Sequence, residues 1–371
     1  MSQIDTFTNQ KFRFYSFFSM FLLVFVHGYN LNTRYLQPFT VVDEPLTVTT
    51  FLEYFLVNGI FRFRVPILFI ISGYLFALRD DRPYGERILR RVRTLFVPYV
   101  LWSFVGILVT FGMEHWQATR MAVLQTQIGP FADKSILDYS FGEWMFKLII
   151  SPLPFQLWFI RCLLIYNIIY PWLKSAVLRF PKITFTITGL LWLVSYNLWL
   201  IEGEGLLFFT LGVWMSKTNF DICKPPKWLR INLIGPAWIA IAAVKTWLAF
   251  QSQISVEILA PTLTIMYKFV VLSGMITLWY GADALVKFFM SRKWFVYLSA
   301  FSFIIYAFHA PLINYGINLA SSLLVGIPAF RILLFFLLPL SVIAVCIAVG
   351  VTLRSLAPKV YGIFTGGRGL R

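Results

Sequence analysis

The residues best placed to do chemistry are those an apolar chain should not contain. His27, His309, Arg62, Arg64, Arg161, Lys245 and Lys268 lie within or at the edges of long hydrophobic runs. A charge at mid-bilayer costs about 2.5–3.5 kcal/mol or more, so such side chains face a bundle interior or a wet cavity. His27 stands near the outer end of the first run, three residues before Asn30. An imidazole with an ordinary pKa of about 6.5 accepts a proton at neutral pH; the competing reading is an interfacial histidine bonded to a neighbouring helix. Arg62 and Arg64 open the second run, just before Val65-Pro66, at a similar depth. They either snorkel to the interface or hold an anionic or polar partner. Ser72-Gly73, further along, suits close helix packing. Tyr306 and His309, three positions apart, share one helix face, and Pro311 frees a backbone carbonyl near them. That pair reads equally as structural or catalytic. The stretch Arg79 to Arg93 is the densest basic segment, suited to lipid head groups or to a phosphate-rich ligand. His115, beside Glu114, reads as solvated. No Gly-rich phosphate loop, HExxH, paired-Cys signature or GxSxG elbow occurs, so no metal site is expected.

The elements that must position these groups are membrane helices. The 371 residues are 59% hydrophobic and 13% charged, against about 45–50% and about 25% in soluble domains. Too few charges remain to cover a water-facing surface. The net charge of +16 is dispersed into short loops, which favours helix orientation over nucleic-acid binding. Cys162, Cys223 and Cys346 are too widely spaced for a disulfide framework. The first apolar run leads to His27 without a small-residue cleavage site, so it is expected to be an uncleaved span.

The apolar runs fall near 13–30, 60–78, 94–113, 146–172, 183–201, 205–216, 232–250, 263–282, 296–319 and 332–353. The sixth is short, and the fourth begins as an interfacial segment around Trp144 to Ile150. This predicts an all-α integral membrane protein with about ten transmembrane helices, both termini cytoplasmic. That arrangement puts most basic residues inside, and only Arg34, Arg120, Lys134, Lys147 and Arg331 in outer loops. Most acids, Asp133 and Glu204 among them, then fall outside. A single domain over 1–371 is expected, with a basic cytoplasmic tail at 354–371 ending in Arg371.

Several segments together, in order, resemble the acyltransferase family 3 membrane proteins, which include O-antigen and other cell-envelope O-acetyltransferases. They are Val24-Phe25-Val26-His27; the run Arg64 to Tyr74; Arg93-Thr94-Leu95-Phe96-Val97-Pro98-Tyr99 with Trp102; Leu157 to Arg161; Leu211-Gly212; and Tyr306 to Pro311. The similarity spans roughly positions 10–315. The family usually carries an arginine where this chain has Ser16. On an ideal helix Arg13 stays within about 40° of the His27 face, whereas Lys11 falls about 160° away. Arg13 is therefore the expected substitute.

The resemblance implies an acyl-CoA donor, most often acetyl-CoA, and a carbohydrate or lipid-linked sugar acceptor at the cell (inner) membrane. His27 would be general base or transient acyl carrier, with Arg62 or Arg64 stabilising the oxyanion or holding the acceptor. The donor's phosphates would meet Arg13, Arg79, Arg90, Arg91 and Arg93. Ser72, Trp158, Arg161, Tyr306 and His309 would line or orient the channel. The rival readings are a secondary transporter exporting an envelope precursor and a membrane scaffold without activity. No internal repeat and no mid-span acid favours the transporter.

Overall fold

The computed structural model of the protein describes all residues except 1–3, 30–36, 127–129, 132–133, 199, 325, 328 and 371. The expectations about Asn30, Arg34, Asp133 and Arg371 lie outside the described residues. Helix accounts for 78% of the described residues. In order, α1 (Thr6–His27), α2 (Val48–Tyr54), α3 (Arg64–Leu78), α4 (Tyr84–Arg91), α5 (Val97–His115) and α6 (Gln117–Leu124) form the first third. Next come α7 (Phe141–Ile149), α8 (Trp158–Ile168), α9 (Tyr170–Arg179), α10 (Pro181–Leu193), α11 (Gly203–Lys217) and α12 (Ile231–Ala249). The order closes with α13 (Val256–Gly281), α14 (Asp283–Met290), α15 (Lys293–Ser299), α16 (Ser302–Leu324), α17 (Phe330–Leu356) and α18 (Pro358–Thr365). Among the described residues the only strand pairing is antiparallel, Asn197–Leu198 with Ile201–Glu202.

Among the described residues, six helical stretches are long and apolar enough to cross a membrane: Val48–Leu78, Tyr84–His115, Ile231–Ala249, Val256–Gly281, Ser302–Leu324 and Phe330–Leu356. The chain is thus an all-α, multi-pass membrane protein. α1 has the length, at 22 residues, but its first half carries Asn9, Gln10, Lys11 and Arg13. Two expected runs, at 146–172 and 183–201, are cut differently in the structure. The run at 146–172 is broken by Pro152 and Pro154, which have no N–H to donate. The interfacial start anticipated there is a separate helix, α7, capped by Ser140 and Glu143. Pro171 and Pro181 then open α9 and α10, each in a first turn where the missing N–H costs nothing. α10 ends at Leu193, short of the expected 201, and Ser195 follows with φ +53°. α11 has 15 residues.

The chain divides into two compact units. The first comprises residues 1–22, 31–88 and 165–299. In it α3 and α11 meet backbone to backbone. A β-carbon at Gly73 would strike the Phe209 carbonyl oxygen, and one at Gly212 the Ile70 carbonyl oxygen. Ser72-Gly73 and Leu211-Gly212 are therefore two sides of one helix crossing, the usual work of small residues in membranes. The second unit comprises residues 23–30, 89–164 and 300–371. Its C-terminal segment is packed rather than free. Tyr361 is buried, Trp102 Nε1 donates to the Phe364 carbonyl at 2.9 Å, and Arg368 Nη1 donates to the Thr94 carbonyl at 2.8 Å.

Candidate functional site

His27 and His309 come together in the second unit. His27 Nδ1 lies 2.9 Å from His309 Nε2, and the rings stack with centroids 5.1 Å apart. His309 Nδ1 is 2.8 Å from the Ile305 carbonyl oxygen. A carbonyl oxygen has no hydrogen to give, so His309 Nδ1 carries the proton. With both rings neutral, His309 Nε2 is then an acceptor, and His27 Nδ1–H donates to it. In that tautomer the ring lone pair of His27 is on Nε2. His309 is 0% exposed, His27 half-buried, so one imidazole is fixed by the helix and the other reaches toward a boundary. Phe155 packs on the His27 ring at 4.7 Å between centroids.

The proline near this pair explains a residue the sequence reading passed over. Pro311 has no N–H to offer the carbonyl of Ala307, one helical turn back. Gln156 supplies the missing donor. Its Nε2 lies 3.0 Å from the Ala307 oxygen and 3.3 Å from that of Tyr306. Tyr306 returns the contact, its hydroxyl donating to the Gln156 carbonyl at 2.7 Å. Gln156 and Tyr306 thus hold α16 against the segment before α8. Gln156 Oε1 is buried with no hydrogen-bond partner among the described residues. The signal available was a lone amide immediately before the apolar run Leu157 to Ile160. Trp158 opens α8 and meets Phe159 edge to face.

The cations inside the runs share another role. Residues Phe55–Gly59 form a π-helical turn and Ile60–Phe63 a 3₁₀ turn, so the helix that reaches α3 starts at Val48 rather than near 60. Changing the hydrogen-bond period leaves carbonyls without their regular donors. Arg62 Nε donates to the Val57 carbonyl at 3.0 Å, and its Nη2 to Asn58 Oδ1. Arg64 Nη1 donates to the Phe61 carbonyl at 2.8 Å, and Lys245 Nζ to the Asn58 carbonyl at 3.2 Å. Arg161 Nη1 donates to the Ile150 carbonyl where α7 ends, and Lys268 Nζ to Ser195 Oγ at 2.9 Å, just past α10. Each cation caps an interruption in a helix. Arg62 and Arg64, expected to serve with His27, belong to the first unit, as do Lys245, Lys268 and a Glu204 carboxylate that accepts from Trp192 and Tyr267. Arg64 keeps one buried donor, Nε, without a partner among the described residues.

The basic residues divide in the same way. Arg79 caps the end of α3 and is exposed, while Arg90 and Arg93 are exposed and Arg91 half-buried. A cavity of about 510 Å³ in the first unit is lined by Arg82, Arg87, Lys174 and Arg179 with Asp80, Tyr84 and Tyr170. Lys174 and Arg179 come from α9, far along the chain from the arginine-rich segment, and were not foreseen as its partners. Asp80 accepts from Lys174 at 2.6 Å, from Tyr170 at 2.8 Å and from Lys217. Burial alone would raise its carboxyl, but these hydrogen bonds outweigh that and hold it at about 2. Arg87 is clamped, stacking on Phe76 and Tyr170 and donating to the Phe76 carbonyl at 2.9 Å. Arg13 donates to Ser299 Oγ at 2.7 Å and to the Val296 carbonyl at 2.6 Å, at the end of α15. Lys11 is instead buried against Asp283 at 2.6 Å, so the two residues point to different surroundings, as their angular separation requires.

Comparison with known proteins agrees with this architecture. The chain is 25% identical over 359 residues to the succinoglycan biosynthesis protein ExoH of Rhizobium meliloti (strain 1021), covering 93% of this chain and 89% of that protein. No solved structure matches. The family model described as an acyltransferase domain, acyltransferase 3, matches residues 8–351, past the last motif near 315. Both histidines, the α3–α11 crossing and the basic cavity fall inside that match, and the chain belongs to the acyltransferase 3 family.

Proposed function

We propose that the protein is an inner-membrane O-acyltransferase that moves an acetyl or other short acyl group from acyl-CoA to a hydroxyl of a cell-envelope carbohydrate. In this reading the chain crosses the bilayer ten times with both termini cytoplasmic. Family membership supports the acyltransferase over the transporter. The relative's part in succinoglycan biosynthesis supports a polysaccharide or its lipid-linked precursor as acceptor.

The observation that carries the mechanism is the hydrogen bond from His27 Nδ1 to His309 Nε2, 2.9 Å long. With His27 Nδ1 as the donor, the ring's lone pair is on Nε2, the nitrogen that takes the acceptor's proton in this reading. The hydroxyl proton moves to Nε2, the oxygen attacks the thioester carbonyl, and the departing CoA sulfur takes the proton back. His309 acts as the third group of a base–orienter arrangement, with a neutral imidazole where a carboxylate often stands. Its Nδ1–H, donated to Ile305, lets the pair share the charge that develops. An acyl-imidazole on His27 is the alternative covalent route. The donor's phosphates meet Arg90, Arg91 and Arg93, which belong with His27 to the second unit.

The test is purified protein in vesicles given acetyl-CoA labelled in the acetyl group and an envelope glycan extract. Label on carbohydrate supports the reading. Glycan movement across the membrane with no acyl chemistry contradicts it.

A further inference from the structure

A second cavity in the first unit has no part in the chemistry above. Its volume is about 280 Å³, nearly twice that of an apolar cavity of ~150 Å³ known to stay dry and bind benzene. Phe12, Ile67, Ile70, Leu211, Leu272 and Ile276 are typical of its walls, and no charged side chain lines it. Tyr74 and Tyr280 also line it, and Trp279 Nε1 already donates to the Ile222 carbonyl at 2.7 Å. Ile70, Leu211, Leu272 and Ile276 are only half-buried, so the cavity is not sealed. The walls are otherwise apolar, and a hydrocarbon fits.

The rim says which hydrocarbon. Pro226, Trp228 and Leu229 form one wall and come from the connection between α11 and α12. The same connection carries Lys224, Lys227 and Arg230, all exposed, opposed only by Asp221 at 3.6 Å from Lys224. Trp228 is 78% exposed between two of these cations, the pattern of a ring at head-group level. Lys217, the other basic residue nearby, is engaged by Asp80 and is not part of the rim.

We propose that this cavity seats one acyl chain of an anionic phospholipid whose phosphate is held by Lys224, Lys227 and Arg230. The site stands apart from acyl transfer and from the sidedness of the chain. The full-length protein is reconstituted in phosphatidylcholine vesicles containing a minor fraction of phosphatidylglycerol with a diazirine on its chain, then irradiated and mapped by mass spectrometry. Label is expected at Leu211, Leu272 and Ile276, falling roughly fivefold for each cation removed in the series Lys224→Gln, Lys227→Gln and Arg230→Gln. Ile276→Trp fills the cavity and should remove the label with the rim intact. If that variant does not fold, the rim series on the exposed connection decides alone. Label spread evenly over lipid-facing helices, or equal labelling by phosphatidylcholine bearing the same diazirine, would overturn the proposal.

Discussion

At the scale of single residues, the account turns on which nitrogen of His27 holds the proton. In the proposed mechanism His309 accepts on Nε2 while donating its own Nδ1–H to Ile305, which puts the His27 proton on Nδ1. A substitution at 309 should therefore act on catalysis by freeing the wrong tautomer. His309→Leu is expected to lower kcat by about 10²-fold or more at unchanged KM. His309→Gln, whose amide oxygen can accept from His27 Nδ1, should recover part of the loss. Equal activity of the two variants would contradict an orienting role. Asp80 gives a second residue-scale expectation. Its folded pKa of about 2 lies below the ordinary 3.8, so it stabilises the fold fully above pH 3.8. That contribution, at most about 2 kcal/mol, is lost as pH falls through about 2. Asp80→Asn should forfeit it at neutral pH, lowering the thermal midpoint in detergent, and an unchanged midpoint would show the ion cluster contributes nothing.

At the scale of elements, the fold is a set of interrupted helices whose gaps are closed by side chains. Pro311 opens a carbonyl that Gln156 closes; the π and 3₁₀ turns before α3 open carbonyls that Arg62, Arg64 and Lys245 close. Gln156→Leu leaves the Ala307 carbonyl buried without that donor, a loss of about 1–3 kcal/mol. Thermal unfolding of the detergent-solubilised variant should show it, and a wild-type midpoint would remove Gln156 from this role. This is also where reading from sequence alone stops. The cations were visible as anomalies because charge and hydropathy are local properties. Their partners were not, because a carbonyl freed by a change of helical period leaves no trace in residue type. The pairing of His27 with His309 was equally hidden, since 282 positions separate them. Ser72-Gly73 was legible as a small-residue pair, and only the fold shows that it faces Leu211-Gly212. The expected fourth run failed for a legible reason, Pro152 and Pro154, outweighed in the reading by the apolar residues on either side.

At the scale of the whole molecule, six stretches satisfy the length and composition of a span, and the proposed ten crossings add α1 and the shorter apolar helices. That count places position 27 outside and the arginine-rich segment after α3 inside. Single cysteines introduced at positions 29 and 85, in a background lacking Cys162, Cys223 and Cys346, should react with a membrane-impermeant maleimide from opposite sides of the membrane. Reaction from the same side would overturn the topology and the delivery of a cytoplasmic donor to His27.

The most direct measurement is transfer of label from acetyl-CoA to glycan by purified His27→Ala beside the wild type, at matched membrane levels. The account predicts loss of detectable transfer, since general-base help alone is worth about 10²–10⁴-fold. Transfer at the wild-type rate would contradict it.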